Sequence, residues 1–281
     1  MLRPQVRPEL VRAVVTAADE AGLAELWLWE DCFLTSGIAT AAAALGWTDR
    51  LRIGIGLLPV PLRNVALTAM EVATLHRLFP GRVDVAVGHG VQDWMAQVGA
   101  RVDSPLALLR EHLVALRALL AGETVTTTGR YVRLDRVALD WPPAAPPPIF
   151  AGATGPRTLR LTGEAADGTI LTADVPPAQV RRACELVAQG RAAAGRTGPH
   201  PIVVYLLTAT GPDAADRLAA EQRRTGAPPG SAVAGDAGAV AEAVLRWAEA
   251  GADRVILQPT ADEPDPVGFV RFAAGEVSAR L

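Results

Sequence analysis

A histidine between two glycines is the residue of this sequence best suited to acid–base chemistry. Gly88-His89-Gly90 directly follows the apolar run Arg82–Val87, at the carboxyl end of a predicted strand. The flanking glycines have no side chains, so the imidazole has few neighbours. It could donate to a ring carbonyl or act as a general acid or base. The third glycine of a dinucleotide-binding fingerprint is missing. The competing interpretation is a histidine in a surface loop.

Two adjacent carboxylates, Glu30 and Asp31, follow another apolar run, Leu23–Trp29. Adjacent residues on a strand point to opposite faces, so at most one of the two is expected to face a ligand. An acidic pair at the start of a helix fits the pattern equally well. We take Glu30 and His89 as the candidate catalytic residues, because the carboxyl ends of strands form the site in α/β folds.

The best candidate for binding an anion is the glycine-rich stretch Gly152–Arg157. Gly155-Pro156 begins a predicted helix, whose free N–H groups and positive end point at the loop. Thr154 adds a hydroxyl group, and Arg157 adds a fixed positive charge. The alternative is a capped turn that binds no ligand.

Glycines also interrupt the predicted strand Leu51–Leu58, at Gly54 and Gly56. Inside a strand, glycine marks a bulge or the close approach of a flat ligand. Close packing of a helix against the strand would favour glycine as well. The sequence therefore indicates either a ligand wall or a packing contact at this strand.

Composition and charge argue against several other functions. The chain has no lysine, which excludes a phosphate-binding P-loop lysine and a Schiff-base lysine. The formal charge is 27 − 30 = −3, so the chain lacks the excess of positive charge that is typical of proteins that bind nucleic acid. The cysteines Cys32 and Cys184 are far apart, and no His-x-His or His-Glu-x-x-His motif offers a metal site. Met1–Pro4 is no signal peptide and no apolar run reaches about 20 residues, which predicts a soluble, cytoplasmic protein.

These stretches lie on a regular alternation of apolar runs and amphipathic segments, which is typical of parallel α/β folds. A doubly wound sheet and a (β/α)8 barrel both fit. A barrel needs one more strand before the helix predicted from Pro8, where only Met1–Val6 remains, so we expect a short first strand or a start placed too far downstream. The seven predicted strands are Leu23–Trp29, Leu51–Leu58, Arg82–Val87, Ile149–Ala151, Thr169–Leu171, Ile202–Leu207 and Arg254–Leu257.

An irregular stretch, Glu123–Pro148, interrupts this alternation and contains a predicted hairpin around Gly129-Arg130. A loop of this length is usually functional or a lid. We expect it to shape the substrate pocket together with Thr225–Gly238, which is rich in Gly, Pro and Ala. The predicted helices are Pro8–Ala21, Ala66–Leu78, Pro105–Leu120, Gly155–Ala165, Ala178–Ala194, Pro212–Arg223, Ala239–Ala250 and Pro266–Ala279.

Five stretches of the chain resemble the luciferase-like monooxygenase superfamily. The resemblance is to its branch that depends on the deazaflavin coenzyme F420 and includes proteins similar to methylenetetrahydromethanopterin reductase. Its most specific part is Pro-Gly-Arg ahead of the Gly-x-Gly strand, followed later by Ala-Asp-Gly. It implies a single (β/α)8 barrel domain over residues 1–281, with an irregular insertion at about 123–148. The matching stretches are Leu26–Phe33, Arg52–Asn64, Ala73–Gly90, Ile149–Gly168 and Gly251–Pro259.

The resemblance also implies a reaction: hydride transfer between coenzyme F420 and an unidentified small organic substrate. The alternatives are an FMN-dependent monooxygenase that uses O2 and a partner flavin reductase, or a barrel that binds a cofactor without turnover. Relatives are often homodimers, so a homodimer is expected here too. Many relatives carry Asp-His where Glu30-Asp31 stands, and Val91–Trp94 lacks the asparagine that some relatives use.

Cofactor contacts follow from the same resemblance. Glu30-Asp31 would line the ring site, a bulge with a non-prolyl cis peptide near Gly56–Leu58 would support the ring, and Gly152–Arg157 would hold the phosphate. No metal is expected. The predicted cofactor-binding residues are Asp31, Gly56, Leu57, Leu58, Gly88, Gly90, Ala151, Gly152, Ala153, Thr154, Gly155, Arg157 and Thr172.

Overall fold

All seven strands predicted from the sequence are present in the computed structural model, which describes residues 1–281. They are near-continuous apolar runs because a parallel strand is buried on both faces. The predicted hairpin is present as well, and a short strand in the stretch 225–238 was not predicted. The strands are β1 (Glu25–Leu28), β2 (Arg52–Pro59), β3 (Val83–Gly88), β4 (Val125–Thr128), β5 (Arg133–Val137), β6 (Ile149–Gly152), β7 (Gly168–Leu171), β8 (Ile202–Ala209), β9 (Ala232–Ala234) and β10 (Arg254–Pro259).

Eight of these strands form one parallel sheet, in the order β1-β2-β3-β6-β7-β8-β10, with β9 beside the end of β8. Apart from the hairpin β4–β5 and the short β9, strands that follow one another in the chain lie side by side, and at least one helix connects each pair. This is the predicted α/β architecture. Because the strands are parallel, all their carboxyl ends lie at one end of the sheet.

The first residues of the chain lie between the two edges of the sheet, β1 and β10. The α-amino group of Met1 donates to the Leu257 carbonyl at 2.8 Å, and the Leu2 N–H donates to the Trp27 carbonyl at 2.9 Å. Two consecutive residues thus reach both edges, so the sheet is curled. No strand precedes β1, where a barrel would need its first strand.

Ten α-helices are present, and every predicted helix is among them. The last is shorter than predicted, since Ala273–Val277 continues it as a π-helical turn. The alanine-rich α2 and the short α4 were not predicted, because neither shows an apolar stripe. No helix is both long enough and apolar enough to cross a membrane. The helices are α1 (Val11–Glu20), α2 (Gly37–Gly46), α3 (Val65–Leu78), α4 (Gln92–Gln97), α5 (Pro105–Leu120), α6 (Pro156–Ala165), α7 (Pro177–Ala193), α8 (Ala214–Thr225), α9 (Ala237–Glu249) and α10 (Pro266–Phe272).

Inside the curled sheet, Trp27, Phe150 and Tyr205 form an aromatic cluster. The Trp27 ring meets Phe150 edge-on, with centroids 6.1 Å apart and planes at 85°, a favourable geometry for aromatic pairs. The same ring occupies the space beside Gly54, where a Cβ would come within 2.3 Å of it. Gly54 therefore makes room for Trp27, which is neither of the two explanations expected for it.

Charged side chains fill the amino-terminal end of the sheet. Asp84 is only 5% exposed and accepts from Arg52 at 2.9 Å and from Arg254 at 2.8 Å. Glu25 accepts from the Trp27 indole N–H at 3.1 Å and lies 3.4 Å from Arg254. Mutual pairing satisfies charges that would be costly to bury alone. This end of the sheet is thus a packed scaffold, which leaves the carboxyl end for a site.

The two most specific motifs of the resemblance are scaffold as well. Arg82, from Pro-Gly-Arg, donates to the Leu51 carbonyl and to the Thr48 hydroxyl group. Asp167, from Ala-Asp-Gly, accepts from the Ile149 N–H at 3.0 Å. Both side chains therefore fix strand ends to the segments beside them.

The insertion at 123–148 is anchored to α5 through its hairpin, β4–β5. Three consecutive backbone N–H groups, of residues 130–132, donate to the Glu111 carboxylate at 2.8–3.1 Å. Burial alone would raise the pKa of Glu111, but these bonds hold it below its usual value. The Tyr131 hydroxyl also accepts from the Ser104 N–H at 2.9 Å. Such anchoring suits a packed insertion rather than a lid.

We predict that acid destabilises the fold through His112. This residue of α5 is 1% exposed, its Nε2 has no hydrogen-bond partner, and burial lowers its pKa from 6.5 to about 4. As the pH falls from 6.5 to 4, the unfolded chain binds a proton there that the folded protein does not. The free energy of unfolding should therefore fall over this range, with His112 contributing up to about 3 kcal/mol.

Urea unfolding above and below this pH range, on the native protein and on His112→Leu, measures the effect. The variant should lose less stability on acidification. His200, whose burial also lowers its pKa to about 4, is present in both proteins, so the difference isolates His112. An equal loss in the two proteins would contradict the prediction.

Candidate active site

A cavity of about 500 Å³ opens at the carboxyl ends of the strands. This is where parallel α/β folds bind ligands. Leu58 and Ala151, by contrast, are buried in the hydrophobic core. The predicted site residues that line the cavity are Glu30, Asp31, Gly56, Leu57, His89, Gly90, Gly152, Ala153, Thr154 and Thr172, whereas Leu58, Gly88, Ala151, Gly155 and Arg157 do not.

Only one of the two stretches expected to shape the pocket does so. Thr225 and Ala227 line the cavity, but no residue of 123–148 reaches it. The expectation for the insertion is wrong because the Glu111 carboxylate holds its hairpin against α5.

One wall of the cavity is a bulge in β2. The register with β3 shifts between Ile55 and Leu58, and the Gly56–Leu57 peptide is cis, so the feature implied by the resemblance is present. The Leu57 side chain lies across Gly88 and Gly152: a Cβ at these positions would come within 2.5 Å and 2.3 Å of its Cδ2. Gly88 therefore lies behind Leu57 rather than against the cavity, and the glycines of both motifs make room for this one side chain.

Tyr205 supports the same bulge from inside the sheet. Its hydroxyl donates to the Gly56 carbonyl at 2.9 Å, and a Cβ at Gly56 would lie 2.0 Å from that hydroxyl oxygen. Burial raises the pKa of Tyr205, so the hydroxyl keeps its proton and remains a donor. The ring stacks on Trp29 at 19°, with centroids 6.3 Å apart. Together the two rings give the cavity an aromatic floor.

Glu30 is engaged on both carboxylate oxygens. It accepts two N–H groups of Arg63 and, at 2.9 Å, the backbone N–H of Gly37, while its side chain is only 10% exposed. Arg63 also donates to Glu71 at 3.1 Å. A carboxylate fixed in this way orients the loop after β1, and the geometry does not favour the predicted proton transfer by Glu30.

Asp31 differs from its neighbour in having no cation within ion-pair distance. It lines the cavity, and burial raises its pKa. Both carboxylates reach the wall, contrary to the expectation from strand alternation, because β1 ends at Leu28 and the two residues lie beyond it. Asp31 is therefore the member of the pair better suited to exchange a proton.

His89 is half-buried in the cavity wall rather than in a surface loop. Its Nε2 lies 3.1 Å from the Thr158 hydroxyl in the first turn of α6, and its Nδ1 is buried without a partner. Burial lowers the pKa of His89, so the imidazole is neutral at neutral pH. The hydrogen bond joins the Gly-His-Gly loop to the helix that follows the glycine-rich stretch, and the two bonded residues are 69 apart in the chain.

The start of α6 has the features of an anion site. Gly155 is the N-cap residue, and a Cβ there would meet nothing within 4 Å. Thr154 and Arg157 are exposed, and Arg157 forms no hydrogen bond or ion pair within the protein. Unpaired N–H groups and a free guanidinium suit phosphate, although Gly155 and Arg157 lie beside the cavity rather than in its wall.

Several lining residues gave no signal in the sequence. Glu221 is buried in α8 and binds Arg3 at 2.9 Å, a contact between residues 218 apart in the chain that no local pattern predicts. The sequence predicts Trp29 as the last residue of a strand and Trp94 in the loop after Gly90, and it predicts a site role for neither. No group of three or more His, Cys, Asp or Glu side chains is arranged to hold a metal ion.

A model of the luciferase-like monooxygenase family matches residues 1–229. The chain belongs to the luciferase-like monooxygenase family. The 5,10-methylenetetrahydromethanopterin reductase of Methanolobus tindarius is 28% identical over 206 residues, which are 73% of this chain and 63% of the reductase. The chain thus spans less than two thirds of the length of that relative.

Solved structures of other proteins share the fold. An F420-dependent secondary alcohol dehydrogenase, in complex with an F420–acetone adduct, superimposes with a TM-score of 0.86 at 21% identity, covering 98% of this chain and 96% of the dehydrogenase. The oxygenating constituent of 3,6-diketocamphane monooxygenase from Pseudomonas putida, in complex with FMN, superimposes with a TM-score of 0.77 at 16% identity, covering 97% and 93% of the two chains. Solved structures with this fold therefore include proteins with either cofactor.

We predict that Leu57 and Gly88 are energetically coupled. In Gly88→Ala the new methyl group displaces the Leu57 side chain, which should lower the free energy of unfolding by about 1–3 kcal/mol. In a Leu57→Ala background the same change should cost much less, because the clash is gone. Urea unfolding of the two single variants and the double variant gives the coupling energy.

Gly155→Ala is the matched control, because its added methyl group meets open space. Its effect should stay within about 0.5 kcal/mol. Additive effects of the Leu57 and Gly88 substitutions would mean that the side chain does not depend on the glycine.

Proposed function

We propose that this chain is an F420-dependent oxidoreductase that transfers a hydride between the deazaflavin and a small organic substrate. The observation that carries the proposal is the joining of a ring-sized cavity to a free helix N-terminus: His89 in the cavity wall hydrogen-bonds to Thr158 in the first turn of α6. The F420–acetone adduct in the structure of the alcohol dehydrogenase supports F420 over FMN.

The residues present fit such a cofactor. The phosphate would lie at the start of α6, held by backbone N–H groups, the Thr154 hydroxyl and the Arg157 guanidinium, all of which are free to bind it. The ring would rest on the β2 bulge, with Leu57 as the orienting wall. A deazaflavin has carbon in place of the reactive ring nitrogen of a flavin, so it supplies a hydride acceptor or donor that reacts poorly with oxygen.

Protons in this reaction would be handled by His89 or Asp31. Both line the cavity, and neither is neutralised by an ion pair. Burial raises the pKa of Asp31 in the direction of the operating pH, which favours acid–base catalysis, and it lowers the pKa of His89, which leaves the neutral imidazole able to accept a proton. Glu30 acts as a positioning residue, since its contacts with Arg63 and Gly37 fix the loop that carries Asp31.

We further propose that the sheet forms a complete (β/α)8 barrel in which Met1 and Leu2 lie where the first strand would run. The two hydrogen bonds to β1 and β10 support this arrangement. The second candidate function is an FMN-dependent monooxygenase, which the fold of the diketocamphane enzyme favours. A barrel that binds cofactor without turnover is the third.

Cofactor titration should distinguish these candidates. We expect fluorescence titration to show tighter binding of F420 than of FMN. Gly155→Asp, which sets a carboxylate at the proposed phosphate position, should weaken F420 binding by more than about threefold, and Arg157→Ala by at least about fivefold.

Arg181→Ala, at an exposed arginine of α7 away from the cavity, should leave the affinity unchanged. An unchanged affinity in both Gly155→Asp and Arg157→Ala would remove the phosphate site. Tight FMN binding with oxygen consumption, and no F420 binding, would favour the monooxygenase.

Turnover should separate the proton carrier from the positioning residue. We expect His89→Ala or Asp31→Asn to lower kcat by at least about a hundredfold, the lower limit of general acid–base catalysis, while F420 affinity is kept. Glu30→Gln should instead lower thermal stability and raise KM, because it loosens the loop. The rate of F420 oxidation or reduction with a substrate of the native protein is the measurement; near-native kcat in both His89→Ala and Asp31→Asn would exclude both roles.

A further inference from the structure

Gln258 is a polar residue of the cavity wall whose side chain has no hydrogen-bond partner within the protein. It stands near the end of β10, lines the cavity and is 9% exposed. No protein group hydrogen-bonds to its side-chain amide. The amide faces the cavity, where it is free to hydrogen-bond to a ligand.

The walls around Gln258 carry carboxylates, and the cation beside them, Arg3, is paired with Glu221. Four carboxylates line the cavity, Glu30, Asp31, Asp174 and Glu221, whereas no arginine does and the chain has no lysine. Glu30 and Glu221 are paired with arginines, but Asp31 is not. His89 is neutral at neutral pH because burial lowers its pKa. Arg3, which lies over the Trp29 ring, is already bound to Glu221, so a carboxylate ligand would face Asp31 without an unpaired cation in the cavity wall.

Gln258 lies on the side of the cavity away from the proposed phosphate site. In the sheet order, β3 and β6 carry His89 and Gly152 in the middle of the sheet, whereas β10 and β1 are its two edges. Met1 and Leu2 bring these edges together, so Gln258 and Asp31 belong to one side. The surfaces beside them are apolar: Trp29, Leu207 and Ala227.

We propose that this side of the cavity binds an uncharged, largely apolar molecule through a single hydroxyl or carbonyl group, which hydrogen-bonds to the Gln258 amide, and that it rejects carboxylates. An amide offers both a donor and an acceptor, so it serves an alcohol and the corresponding carbonyl compound equally. The inference rests on the proposed function, in that this molecule would be the substrate. Gln258 is then a specificity-determining residue.

Binding to the protein, rather than turnover, tests the inference. Calorimetric titration would compare cyclohexanol with cyclohexanecarboxylate, which share the ring and differ in the charge of the polar group, with and without F420. We expect cyclohexanol to bind at millimolar concentrations and cyclohexanecarboxylate to bind at least about tenfold more weakly. Gln258→Met, which keeps the length of the side chain but not its hydrogen bonds, should weaken cyclohexanol about fivefold.

Two further variants make the result decisive. Gln97→Met, at an exposed glutamine of α4 outside the cavity, should leave cyclohexanol binding unchanged. Asp31→Asn should reduce the discrimination against cyclohexanecarboxylate, and it decides the question if Gln258→Met does not fold.

Three results would overturn the inference: no measurable binding of cyclohexanol, equal or tighter binding of the carboxylate by the native protein, or an unchanged affinity for cyclohexanol in folded Gln258→Met. Cofactor titration is independent of these readouts. If F420 binds and the two probes are not discriminated, only the present inference fails. If the probes are discriminated and neither cofactor binds, only the proposed function fails.

Discussion

The Leu57 side chain, lying across Gly88 and Gly152, joins the ends of three neighbouring strands at the cavity. A methyl group at either glycine would come within 2.5 Å of it, so the contact requires bare backbone on both β3 and β6. The Tyr205 hydroxyl fixes the preceding carbonyl, that of Gly56, from inside the sheet. The wall of the cavity thus depends on a close-packed contact, which is sensitive to changes of a single methyl group.

Charged side chains are arranged differently at the two ends of the sheet. At the amino-terminal end of the sheet, Asp84 is held between two arginines, and the interior above it is aromatic. At the carboxyl end the wall carries carboxylates, while the free cation, Arg157, stands outside the wall at the start of α6. An anionic group is therefore favoured at the helix and disfavoured in the cavity, which can orient a molecule that has a charged end and a neutral ring.

The periodicity of the sequence predicts the fold well because buried parallel strands need continuous apolar runs. It does not predict α2 and β9, whose residues are mostly alanine or small and lack a period. In the candidate site, local sequence patterns identify the residues but not the contacts that they make. Gly88, Gly152 and Glu30 are conspicuous in the sequence, but their partners Leu57 and Arg63 are about 30 or more residues away, so a cofactor contact and a packing contact look the same. His89 is conspicuous as well, whereas Thr158, which orients it, is not.

The residues that match the family model include one side of the cavity fully and the other side only in part. The family match covers residues 1–229 and so includes the β2 bulge, His89 and the start of α6. It ends before β9 and β10, and Gln258 lies outside it. The residues that would hold a cofactor therefore belong to the part of the chain that identifies the family, and they are largely backbone and small side chains. The residues that would select a substrate are divided between the two parts: Asp31 lies within the matched residues, whereas the amide of Gln258 lies beyond them.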